Sequence, residues 1–133
     1  MTGAETAPSL DDLDRMARET WAALPSNFRD LAGDLLIRVE DFADEQVLAD
    51  VGIDDPLELT GIYSGVDLTQ RSIMDPSPMQ PMVFLYRRAI LEEWVERGDV
   101  GLSELVAHVL VHEIGHHFGL SDEFMDELLD AAD

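Results

Sequence analysis

The stretch from Ser103 to Gly119, SELVAHVLVHEIGHHFG, restricts the fold of this chain more than any other. Val106, Leu110, Ile114 and Phe118 recur at four-residue spacing and trace one apolar face of a helix, while Leu105 and Val109 lie nearer the side that carries His112 and His116. A helix apolar on most sides has to be buried. The spacing therefore predicts a central helix from a Ser103 cap to about Phe118, with Gly119 as the residue that ends it. Placing two histidines and a glutamate in such a helix is costly unless something satisfies them. What satisfies them is the question the sequence poses.

The flanking chain supplies what the helix packs against. Leu10, Leu13, Met16, Ala17, Thr20, Trp21 and Leu24 keep helical spacing up to Pro25, and Ser9 with Asp12 forms a capping box at the start. Residues 34–42 (DLLIRVEDF), 57–65 (LELTGIYSG) and 82–88 (MVFLYRR) read as strands, the last with an apolar run that predicts burial on both faces. Gly61 marks a bulge or a close backbone approach. Ala43 to Val51 reads as a short helix stopped by Gly52, and Ile90 to Arg97 as another stopped by Gly98. Residues 64–81, with Gly65, Pro76, Pro78 and Pro81, form a long loop, and Ser121 opens a last amphipathic helix. Residues 1–8 are expected to be a flexible tail, and 1–133 a single domain.

Composition narrows the chemistry. Eight Lys and Arg stand against 29 Asp and Glu, a net charge of -21 that disfavours nucleic acid and anionic lipid and attracts cations or basic partners. The chain has no cysteine, so any metal must be held by nitrogen and oxygen. No signal-like or membrane-spanning segment is visible, and the expected location is cytoplasmic.

His112 and His116 lie one turn apart and only about 40° round the helix, so both imidazoles reach one point from the same side. That is what a tetrahedral zinc ion asks of its first two ligands. Glu113 is placed to hydrogen-bond a metal-bound water and take its proton. Gly119 can turn the chain so that Asp122 comes back over the metal as third ligand, with the fourth position left for water. With this chain's own frequencies, HExxH arises by chance in roughly one such chain in a hundred, and HExxHxxGxxD in roughly one in ten thousand. Among the other polar residues, His108 reads as cleft-lining and His117 as a hydrogen-bonded histidine on the apolar side. Glu104 reads as a first-turn carboxylate, and Glu123 as solvent-facing.

HEIGHHFGLSD resembles the active site of zincin metallopeptidases with an aspartate third ligand. Together with GIYSGVDL and MVFLYRR it resembles the short bacterial zincin-like metallopeptidases over roughly residues 57 to 126. The resemblance implies an α+β fold, a small zincin-like core with a few-stranded mixed sheet packed against the active-site helix. It implies one zinc ion on His112, His116 and Asp122, Glu113 as general base, and a peptide or protein as substrate. The oxyanion donor is left open among Tyr63, Tyr86 and His117. Larger relatives carry a methionine turn well downstream of the third ligand, whereas eleven residues follow Asp122 here. That departure motivates an alternative reading, a catalytically idle zinc-binding domain that binds peptides or a protein partner. An acidic nucleic-acid mimic would account for the charge but gives no reason for HEIGHHFGLSD.

Overall fold

The computed structural model describes residues 7–65 and 80–120. The elements, in chain order, are α1 (Leu10–Ala23), α2 (Ser26–Ala32), β1 (Leu36–Glu40), α3 (Glu45–Val51), a 3-10 turn (Pro56–Glu58), β2 (Gly61–Ser64), β3 (Met82–Tyr86), α4 (Arg87–Arg97) and α5 (Leu102–His117). The fold is α+β with a three-stranded mixed sheet, as the sequence implies.

The capping box forms: Ser9 N donates to Asp12 Oδ2 at 2.9 Å and Asp12 N donates to Ser9 Oγ at 3.1 Å. The backbone bond from Ser9 holds the Asp12 carboxyl below its ordinary value. Helix α2 is a feature the sequence reading did not anticipate. Pro25, read there as a stop, also starts the next helix, because its fixed φ suits an entry position. Strand boundaries shrink for similar local reasons. Pro56–Glu58 forms a 3-10 turn under an Asp55 side-chain cap, which delays β2 until Gly61. Arg87 and Arg88, expected in the third strand, instead open α4. Helix α5 starts a residue before Ser103, on an extended Gly101 that makes no side-chain cap. Pro8, expected in a flexible tail, has its carbonyl bonded by Arg87 Nε.

The sheet order is β1-β3-β2. β3 pairs in parallel with β1, from Leu36–Met82 to Glu40–Tyr86, and antiparallel with β2, from Gly61–Leu85 to Ser64–Met82. Alternation along β3 sends Val83 and Leu85 to one face, where they join Leu13, Ala17, Ile37 and Ile90. Leu105, Val106, Val109, Leu110 and Ile114 of α5 complete that core. Phe84 and Tyr86 stack on the opposite face, where Tyr86, Ala43 and Ala89 form a smaller cluster under Val47, Leu48, Leu59 and Ile62. Burial of β3 is thus complete on the α5 side and partial on the other, since Met82 and Phe84 keep some exposure. Among the described residues no helix is long and apolar enough to cross a membrane.

Gly61 sets how near α5 comes to the sheet edge. A Cβ built there would stand 2.8 Å from Val109 Cγ1, closer than side chains pack, and 3.1 Å from the Phe84 carbonyl oxygen, a tight contact. The glycine is the close approach that the sequence offered as one of two options. Gly61→Ala is expected to lower unfolding free energy by about 1–3 kcal/mol by wedging α5 off β2. Urea denaturation measures this, and an unchanged midpoint would contradict the packing described.

Candidate metal centre

The C-terminal half of α5 lies in two environments. Ile114, Gly115 and His117 are buried, while His112, Glu113 and His116 are each partly exposed. The ring centroids of His112 and His116 are 5.0 Å apart at an interplanar angle of 79°. One donor atom from each of His112, Glu113 and His116 lies within 4.8 Å of the other two. Two imidazole donors each about 2.1 Å from a zinc ion can be at most about 4.2 Å apart, so small rotations bring the His112 and His116 nitrogens to ligating separation, with the Glu113 carboxylate close enough to reach a water held there. Partial exposure corrects one premise of the sequence argument. These three side chains are not orphaned in an apolar interior, and among the described residues no buried side-chain nitrogen or oxygen lacks a partner. The case for a metal rests on convergence, not on unsatisfied burial.

The turn after α5 orients the second imidazole. Gly119 has φ 81°, which ends the helix with paired bonds from Gly119 N to His116 O at 2.9 Å and from Leu120 N to Gly115 O at 3.0 Å. The folded-back chain places the Leu120 carbonyl 3.2 Å from His116 Nδ1. A carbonyl only accepts, so Nδ1 carries a proton, and in the neutral ring that leaves the lone pair on Nε2. A backbone carbonyl on the far ring nitrogen is the usual support for a metal-binding histidine. The donor set therefore fits a divalent ion of the zinc type: imidazole and carboxylate donors, no thiolate, and an opening to solvent. Asp122 lies outside the described residues, as do Glu123 and the helix expected from Ser121.

Other residues singled out from the sequence fall elsewhere. His117 is fully buried, donating from Nε2 to the Ala32 carbonyl at 2.8 Å and accepting at Nδ1 from the Tyr63 hydroxyl at 2.8 Å. It is the hydrogen-bonded histidine the spacing predicted, and those engagements remove it as an oxyanion donor. Tyr86 is removed as well. It is 2% exposed on the far face of β3, and its ionisation is pushed up to about 12 by burial, with Glu40 and Asp44 adding repulsion. His108 is exposed and, with Thr60, Glu93, Val109, His112 and Glu113, lines a cavity of about 250 Å³. A second cavity of about 360 Å³ shares Thr60 and Glu93 and adds Asp55, Leu57, Glu58, Glu92 and Glu96. Thr60 and Glu93 gave no signal in the sequence, because only the packing of β2 and α4 against α5 brings them beside His112.

The sequence matches the zincin-like metallopeptidase family over residues 32–131, which is 100 of its 133 residues. The chain belongs to that family. The family implies a zinc cofactor and a zinc metallopeptidase fold, and the cluster on α5 is the HExxH arrangement at its centre. No curated protein matches the sequence.

Gly119→Ala is expected to cost about 1–2 kcal/mol, because an L side chain resists the left-handed region. Gly119→Asn should lose less. Chemical denaturation of the two variants against the parent measures both, and equal stability would contradict the turn geometry.

Proposed function

We propose that this chain is a zinc-dependent peptidase in which His112, His116 and Asp122 hold one ion and Glu113 is the general base. The observation that carries the reading is the convergence of His112, Glu113 and His116 on one partly exposed patch of α5, with His116 fixed by the Leu120 carbonyl. Zinc, when bound, lowers the pKa of a water molecule to about 7 and polarises the scissile carbonyl. Glu113, next to the first imidazole, takes the proton of the attacking water and later delivers it to the leaving amine. Its partial exposure lets it meet solvent water before substrate arrives.

Substrate follows from the neighbouring surfaces. Among the described residues β2 is an edge strand, bonded to β3 on one side, and Thr60 just before it lines the cavity that holds His112 and Glu113. An extended peptide can add to such an edge through its backbone while its side chains enter the adjoining cavities. Those cavities carry Glu93 beside His112, then Asp55, Glu58, Glu92 and Glu96, so the reading includes a preference for basic side chains.

Two experiments test the proposal. Glu113→Gln should retain zinc by elemental analysis while hydrolysis of unfolded polypeptides falls by about 10²–10⁴-fold. His116→Ala should lose the ion itself. Parallel loss of zinc in both variants, or undiminished turnover in Glu113→Gln, would overturn the assignment. For the charge preference, fluorogenic peptides differing at one residue should be cleaved in the order Arg, norleucine, Glu, with the spread shrinking as salt rises to about 0.1 M and the Debye length falls to about 10 Å. Equal rates at low salt would remove it.

A further inference from the structure

The buried hydrogen bonds of His117 reach three elements at once. From the last residue of α5 the ring spans the Ala32 carbonyl, at the C-terminal end of α2, and the Tyr63 hydroxyl of β2. Ala32 O is one of the terminal carbonyls that no residue within a helix can satisfy, so His117 supplies its donor. A second contact joins the same two elements, since Phe118 packs on Phe28 of α2 with ring centroids 6.1 Å apart. The turn that follows α5 is therefore fastened from below immediately before it folds back. That turn carries the Leu120 carbonyl that decides which nitrogen of His116 is protonated.

Resting on the metal-site reading above, we propose that His117 is a positioning residue for the zinc centre: it fastens the end of α5 so that the Leu120 carbonyl holds His116 as the Nδ1–H tautomer, Nε2 being left as metal donor. The adjacent histidines carry their protons on opposite nitrogens for this reason. His116 is protonated at Nδ1 toward Leu120, and His117 at Nε2 toward Ala32. The Ala32 carbonyl, which can only accept, sets the tautomer of His117, and Tyr63 contributes by donating its hydroxyl to the Nδ1 this leaves free of a proton. The arrangement also joins the metal-bearing turn to β2, where the proposed substrate edge lies.

The test compares His117→Phe, His117→Gln and Tyr63→Phe, with Ile37→Val in β1 as a core change of ordinary kind. Two-bond nitrogen–proton correlation on histidine-labelled, metal-free protein at pH 8 reads the tautomers without any activity. Competition with a chromophoric chelator reads the zinc Kd. Wild type should show His116 as Nδ1–H and His117 as Nε2–H. His117→Phe should shift His116 toward the Nε2–H form and raise the zinc Kd by about 10–100-fold. His117→Gln, whose amide N–H can still reach the Ala32 carbonyl, should recover most of the affinity. Ile37→Val should change stability alone. A His117→Phe variant with unaltered His116 tautomer and zinc Kd within twofold of wild type would sink the proposal. Should that variant fail to fold, Tyr63→Phe decides: weaker zinc with His116 shifted toward the Nε2–H form supports it, and no change in either overturns it. Wild-type protein that binds no zinc would refute the functional reading, while the tautomers would still decide the role of His117.

Discussion

A helix that is both the centre of a core and the bearer of the cluster of His112, Glu113 and His116 has to change environment within a single turn. In α5 the change falls between neighbouring residues: His116 keeps contact with solvent, and His117 has none. Everything nearby serves that division. β2 and α2 enclose one side through Tyr63 and Ala32, and α4 stands back far enough to leave the cavity at His112 and Glu113. Gly61 permits the close seating of β2 on α5 that makes the Tyr63 bond short enough to form. The apolar burial that stabilises the domain thus also fixes the direction in which its polar side chains face.

Features carried by short-range pattern were legible in the sequence. The capping box at Ser9, the glycine ends of α3 and α4, the turn at Gly119 and the helical convergence of His112 with His116 all depend on residues within a few positions of each other. The strands were legible as segments but not at their ends, since Asp55 capping and the start of α4 at Arg87 compete locally for the same residues. Helix α2 was hidden because proline punctuates both a stop and a start. What could not be read at all was made by tertiary contact. His117 could be assigned to the apolar side by its angle on the helix, yet its partners lie 85 and 54 residues away. The same holds for Thr60 and Glu93, which enter the cleft only through packing of β2 and α4 against α5.

The acidity of the chain acquires a location in the fold. Much of it is ordinary solvated surface, but Asp55, Glu58, Glu92, Glu93 and Glu96 collect around a cavity that shares Thr60 and Glu93 with the one at His112 and Glu113. Carboxylates so grouped raise the local concentration of cations, whether metal ions or basic side chains. Arginine is the sole strongly basic residue type, because the sequence has no lysine, and five of its eight arginines, Arg15, Arg18, Arg38, Arg87 and Arg97, are paired with carboxylates, the last with Glu93 of the cleft. Arg97 offsets one cleft carboxylate, Glu93, against the four others that line the same cavity.

The parallel pairing of β1 with β3 carries a consequence in time. Leu36 must wait for Met82 before the sheet has a centre, and α1 must wait for α5 before its buried face is covered. Such distant contacts close late and cooperatively, after most chain entropy has been spent. During synthesis, the histidine cluster cannot be assembled until nearly all the described chain has left the ribosome. A site built this way is complete only when the fold around it is, and no early fragment carries it.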